Sequence, residues 1–332
     1  MRALNPALTP GEDSAPTTGI VAPPASKTPL FEAIHASRYL RQSIIKQIQE
    51  RSGRRLICYV GGTQAPVDRD DVLGFVDLLH NVANEADLDL LIHTGGGDMD
   101  AAEKLITMVR NRVGNAILRV VVPDYAKSAG TLMALGADII VMSDPSELGP
   151  IDPQIILSDG NGNRIQHSVH SYLTAYERHC EVLKQDPTNQ ASRIMLSKLD
   201  PATVRLFEGV MKRARTLAED LLKRGMHKEG KGNWSKAASS LLDTTRWQSH
   251  GQMISWQDAQ DPDVGLKVEY LEPRNVDWEE FWQLYCLQRL AVGDRQKLFE
   301  SDCVSITIDS ASATQFTGAP NPSSRVDSDI TG

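Results

Sequence analysis

The chain carries Leu91-Ile92-His93-Thr94-Gly95-Gly96-Gly97-Asp98 and, further on, Tyr125-Ala126-Lys127-Ser128-Ala129-Gly130-Thr131-Leu132-Met133-Ala134. Each stretch follows a short apolar run and opens an amphipathic one, so each marks a passage from strand to helix. Glycines at such a turn bare successive backbone N–H groups near a helix start and let a ligand approach closely. A serine at the next turn gains from the helix dipole as its oxygen becomes charged. Its small neighbours Ala126, Ala129 and Gly130 leave room for a substrate backbone. Singly, these features read as a tight turn and an N-cap serine. Together they are the two halves of an acyl-transfer site, with Ser128 as nucleophile and Gly96 as oxyanion donor.

Outward from these motifs the chain alternates. Leu56–Val60, Leu88–His93, Ile117–Val122 and Ile139–Met142 read as strands. Between them lie three helices. Asp70–Ala83 has Val72, Phe75, Val76 and Leu79 on one face, Asp100–Arg112 carries Leu105, Ile106 and Val109, and Ser128–Gly136 is short. This alternation predicts βαβ units and a parallel sheet, and continuously apolar strands predict cover on both faces. A helix over 31–51 precedes them. After residue 145, Ser146-Glu147-Leu148-Gly149-Pro150-Ile151-Asp152-Pro153-Gln154 reads as a loop, and Ser168–Lys184 as a helix. A long helix follows, capped by Asp200 with Pro201 at its first position and stopped by Gly225. Phe207, Val210, Ala214, Leu217 and Leu221 form its apolar stripe. Its basic face (Lys212, Arg213, Arg215, Lys223, Arg224) reads as solvated. Residues 226–250 read as irregular, Gly265–Leu271 as the last strand and Asp277–Leu290 as an aromatic core helix. Residues 1–29 and 304–332 lack periodicity and read as disordered tails, leaving a folded body over 30–303.

Composition narrows the function. The 332 residues carry a formal net charge of −8, which argues against nucleic acid as a partner, since that affinity rests on neutralising phosphates. Cys58, Cys180, Cys286 and Cys303 are scattered without a C-x-x-C pair, as expected of reduced thiols in a cytosolic protein. No run approaches the ~20 apolar residues of a membrane span, and no basic patch leads an apolar signal segment. These features predict a soluble, cytoplasmic protein.

Known phosphate-binding patterns fail at the glycine turn. Asp98-Met99-Asp100 stands where a dinucleotide fingerprint needs further glycine, and no Gly-Lys-Ser/Thr follows. Ala126–Gly130 is close to a degenerate nucleophile elbow of the α/β-hydrolases, but 145–250 offers few of the strands that fold requires. The order strand, Gly-Gly, helix, strand, Ser-Ala-Gly, helix, strand resembles the ClpP/crotonase superfamily. Within it the chain is most similar to the signal-peptide-peptidase-A-like clan and its serine dehydrogenase proteinase family. The resemblance rests on His93–Asp98, Lys127–Ala134, Gly136–Met142 and Ser146–Gln154, and on Ile254, Ala259 and Gly265-Leu266.

The resemblance implies stacked ββα units around a mostly parallel sheet, with a peptidase domain over 30–272 and a C-terminal helical extension over 273–303. It implies a serine peptidase acting on peptide or protein substrates, without metal or organic cofactor, assembled as a homo-oligomer. Ser128 is then the nucleophile, Gly96 and Ala129 supply the oxyanion-hole N–H groups, and Gly97 shapes the turn. The base stays open. The ClpP pattern places a His near Pro153, where this chain has none. A Ser–Lys dyad points to Lys184 or Lys198, with Lys184 in the more apolar setting. Lys127 adjoins Ser128, and neighbouring side chains diverge. A Ser128–His250–Asp243 triad is the other arrangement. Two further readings stand beside the peptidase: a crotonase-type acyl-CoA enzyme, in which Ser128 is dispensable, and a non-catalytic scaffold of the same fold.

Overall fold

The computed structural model describes residues 27–158, 164–230 and 232–310. Of the expected tails over 1–29 and 304–332, residues 1–26 and 311–332 lie outside the described residues. Of the described residues, 27–37 form one unit, holding the first turns of α1 (Pro29–Ser52), and those from Arg38 onward form the second. In the second unit α1 continues into β1 (Arg55–Gly61), α2 (Val72–His80), β2 (Leu88–His93), α3 (Met99–Val113), β3 (Leu118–Val121) and β4 (Tyr125–Ala126). Next come α4 (Ala129–Leu135), β5 (Ile139–Met142), β6 (Glu147–Leu148), β7 (Gln154–Ser158), β8 (Arg164–Ser168), α5 (Val169–Gln185) and α6 (Gln190–Ser197). The chain closes with α7 (Pro201–Arg224), α8 (Trp234–Leu241), α9 (Trp256–Gln260), β9 (Val268–Tyr270), α10 (Val276–Ala291), β10 (Gln296–Glu300) and β11 (Ser305–Asp309).

The main sheet runs β11-β10-β1-β2-β3-β5-β9. From β1 to β9 the neighbours are parallel; β10 and β11 add antiparallel at the β1 edge. Alternate residues of β1 serve two cores. Ile57 and Tyr59 face a cluster built from α2, α3, α4, α7 and α8, and Leu56, Cys58 and Val60 face Ile44, Ile45 and Ile48 of α1 and Trp278 and Phe281 of α10. Both faces are therefore dry, as the apolar strands predict.

A second, shorter row of backbone pairing places the site. After β1 the chain returns through Val67, which bridges to Gly97 beyond β2. Thr94 bridges to Ala126 beyond β3, β4 pairs with β6 beyond β5, and Leu148 bridges to Ile254. Each of these main strands is thus followed by a short segment that pairs outside the main sheet, and α2, α3 and α4 follow the first three. This is the stacked ββα plan, a mixed α/β fold of the ClpP-like class.

Four expectations need correction. Gly265–Leu271 is not the last strand, and residues 304 onward do not begin a tail, because β10 joins the central sheet and β11 pairs with it over Ser305–Asp309. β10 hides its character behind charge: Lys297 and Glu300 are almost wholly buried yet break the apolar pattern. Residues 226–250 contain α8, whose Ala237, Ala238 and Leu241 are buried. On α2, Val76 is exposed and Gly74 is buried, because a Cβ on Gly74 would lie 2.3 Å from the Phe299 ring of β10. Close approach to that unforeseen strand rotates the helix away from its expected face. Among the described residues no helix is long and apolar enough to cross a membrane.

Candidate active site

A cleft of about 680 Å³ opens where the second row ends. The glycine turn, Ser128, Asp152, Gln154 and His250 all line it. Leu132, Ile151, Val169, Val210 and Ala214 give it an apolar wall.

Ser128 stands at the N-cap of α4 with φ +50° and ψ −110° and makes no side-chain capping bond. Positive φ in a non-glycine residue costs of order 1–3 kcal/mol and persists only where the surroundings impose it. They do so here. Thr94 N–H donates to Tyr125 O and Lys127 N–H to Thr94 O, fixing the entry; Gly130 N–H donates to Lys127 O and Leu132 N–H to Ser128 O, fixing the exit. The Thr131 hydroxyl sits 2.8 Å from Ala126 O and accepts from Gly149 N–H. The result is a sharp strand-to-helix turn that presents the serine side chain to the cleft, the geometry of a nucleophile elbow.

The glycine turn is packed against this elbow. A Cβ on Gly96 would lie 2.8 Å from Ser128 Cβ, and one on Gly97 would lie 2.3 Å from Val67 O. Both residues also have positive φ, +102° and +151°, so only glycine fits. Gly96 N–H donates to Thr94 Oγ1 at 3.1 Å. The Val67 bridge uses Gly96 O and Asp98 N–H, so the Gly97 peptide N–H points away from Val67. That bridge therefore leaves the Gly97 N–H unused. Ala129 N–H, at the first position of α4, has no intrahelical acceptor.

The imidazole side of the cleft is built from side chains. His250 Nδ1 lies 3.7 Å from Asp152 Oδ2 and 3.4 Å from Gln154 Nε2. Asp152 is buried; Gln154 Nε2 donates to one carboxylate oxygen and the Ser168 hydroxyl to the other, at 2.7 Å. Lys127 tethers this region. Its Nζ pairs with Glu147 at 2.9 Å and donates to the carbonyls of Leu148 and Gln252 at 3.1 and 3.2 Å. It thus joins the serine turn to the segment just past His250.

The remaining sequence candidates fall elsewhere. Lys184 is exposed on α5 and pairs with Glu181 three residues away at 3.1 Å. Lys198 is exposed at the end of α6. Asp243 is spent capping a turn, accepting from Thr245 N–H, Thr245 Oγ1 and Arg246 N–H; the Thr245 hydroxyl bond holds its carboxyl below the usual range. The carboxylate beside His250 is Asp152, in the stretch Ser146–Gln154 that the sequence marks as a loop. Its signal was present: it sits one residue before the position where a ClpP-type His is expected, inside Ser146–Gln154.

Behind the turn His93 is fully buried. Tyr285 donates to Asp124 at 2.6 Å, so His93 Nδ1–H donates to the Tyr285 oxygen at 3.2 Å. Among the described residues its Nε2 has no partner. Burial, aided by the Arg289 charge, pushes this imidazole down to about 3.

The fold and site define an α/β protein of the ClpP-like class. The chain belongs to the ClpP-like SDH-type serine proteinases: the sequence model of that family matches residues 39–292. An uncharacterized protein of Methanocaldococcus jannaschii is 30% identical over 159 residues, 44% of this chain and 50% of its own. A second is 46% identical over 68 residues, 20% of this chain and 23% of its own. The chain thus matches half or less of the length of these curated relatives. Among solved structures, a variant of the 1510-N membrane-bound stomatin-specific protease is 14% identical with a TM-score of 0.39, covering 67% of this chain and 82% of that one. ClpP1 from Listeria monocytogenes is 11% identical with a TM-score of 0.36, covering 71% and 97%.

Proposed function

We propose that this protein is a serine peptidase. Ser128 attacks the peptide carbonyl, and the Gly97 and Ala129 N–H groups hold the resulting oxyanion. His250 takes the serine proton and returns it to the leaving amine, and water then resolves the acyl-enzyme. Asp152 orients the imidazole in place of Asp243. The observation that carries this reading is Ser128 itself, a strained serine with an unspent hydroxyl in the same cleft as the glycine turn and an imidazole. That strain favours a nucleophile over the acyl-CoA reading, which needs none. The apolar wall suits an apolar substrate side chain beside the scissile bond. Cytosolic residence and self-assembly complete the reading; free cysteines support the first, and family resemblance the second.

Labelling with a fluorophosphonate probe tests it. Wild type should be modified at Ser128, and Ser128→Ala should lose the label. A folded wild type that takes no label, and cleaves no peptide from a diverse library, would overturn the proposal.

A further inference from the structure

We propose that Lys297 is a positioning residue for the oxyanion turn; this rests on the peptidase reading. Lys297 lies on β10, past the end of the family match at 292. Its side chain is only 2% exposed. An ammonium so buried must find partners to offset lost hydration. Nζ meets Asp71 Oδ1 and Asp68 Oδ2, each at 2.7 Å. The other Asp71 oxygen accepts from the Tyr59 hydroxyl at 2.8 Å and from Asp68 N–H at 3.0 Å. One cation and one phenol therefore fix both ends of the Asp68–Asp71 turn.

Val67 directly precedes that turn, and Val67 is what the glycine turn leans on. Its N–H donates to Gly96 O at 2.8 Å, and its carbonyl accepts from Asp98 N–H at 2.9 Å. With bonds on either side of Gly97 and no room for a Cβ, the Gly97 peptide is set by where Val67 sits. The other end of this segment hangs from the same stretch of chain as Lys297. Gly62 N–H donates to Gln296 O at 2.8 Å, Gln64 N–H to Asp294 O at 2.7 Å, and the Thr63 hydroxyl to Asp294 Oδ1 at 3.0 Å. Gly62–Pro66 lines the cleft. The cleft wall and the oxyanion donor are thus suspended from Gly293–Lys297, and Lys297 is the charged end of that suspension.

The test uses the full chain as wild type, Lys297→Met, and Lys297→Met with Asp71→Asn. The double variant removes both buried charges together, so its melting temperature should return toward wild type even if the single variant is unstable. Hydrogen exchange should then rise roughly tenfold or more in peptides covering 62–71 and 94–98, while 118–122 stays unchanged. The Ser128 labelling rate should stay about tenfold or more below wild type despite the recovered stability. Unchanged exchange at 62–71 and 94–98, or an equal rise throughout the sheet, overturns the proposal. So does a labelling rate that recovers along with melting temperature. If wild type takes no label, the peptidase reading falls and the positioning role falls with it. A labelled wild type with equally reactive variants sinks the positioning role alone.

Discussion

The serine half and the imidazole half of the cleft, nucleophile and base in the proposed reading, are built differently. Ser128 and the glycine turn are placed almost entirely by backbone: paired peptide groups, positive φ angles and the absence of Cβ atoms. His250 and Asp152 are placed by side chains drawn from a loop, from Ser168 at the start of α5, and from the Lys127 tether. Backbone construction leaves little freedom, so the first half stands assembled without substrate. In the second, 3.7 Å between Nδ1 and the carboxylate exceeds hydrogen-bond range. Catalytic contacts often tighten only around substrate, and a side-chain scaffold permits that closure.

If the backbone half is as rigid as this, Gly97→Ala gives the largest loss. Its Cβ would meet Val67 O at 2.3 Å and Val67 N at 2.5 Å. The displaced turn should lower the labelling rate by roughly 10²–10³, the usual worth of an oxyanion donor. Gly95→Ala, with open space around its Cβ, should stay within about twofold, since nothing near it needs to move. Equal rates for the two variants would break the distinction.

The base half should respond less steeply and in graded steps. His250→Ala should cost ~10²-fold or more in acylation, and Asp152→Asn about tenfold, since it orients the base rather than moving the proton. Lys184→Ala and Asp243→Asn should remain within about twofold, as surface changes usually do. A reversal, with Lys184 essential and His250 dispensable, would restore the Ser–Lys dyad. Lys127→Met should fall near Asp152→Asn. It keeps the stem but releases the Leu148 and Gln252 carbonyls, and small misplacements of catalytic groups are costly.

This contrast also explains what the sequence disclosed. Glycine tolerates positive φ and close packing, so Gly96-Gly97 and Ser128-Ala129-Gly130 announce their geometry locally, and the strands and helices around them follow from hydrophobic period. The engagement of the Gly96 N–H, which leads us to propose Gly97 in its place, was not legible, because it turns on the Thr94 hydroxyl. Asp152 and His250 lie 98 residues apart in number, and no local pattern joins them. Asp243 and Lys184 had suitable chemistry and spacing, but a turn and the surface claim them. At the far edge, β10 was hidden because its buried charges are paired in space, Lys297 with Asp68 and Asp71 and Glu300 with Arg41, by contacts no window of sequence contains.

The smallest effect concerns stability rather than rate, and it probes the backbone half from behind. His93 ends β2, one residue before the turn, and is buried as the neutral Nδ1–H form with Nε2 unpartnered among the described residues. Its imidazole pKa is depressed to about 3, first by burial and then by Arg289. The unfolded chain takes up a proton near pH 6.5, and the native site resists it down to about 3. Between those values the unfolded state holds more protons, so acidification destabilises the fold, by up to about 1.4 kcal/mol per pH unit from this group. Urea melts of wild type and His93→Gln at pH 7, 5 and 4 isolate the term from the carboxylates common to both. The variant should be the less stable at pH 7, because it disturbs the Tyr285–Asp124 contact, and should lose less than wild type on going to pH 4. Parallel losses in the two proteins would mean that His93 takes up its proton without unfolding, and that the floor beneath the glycine turn is softer than its backbone pairing implies.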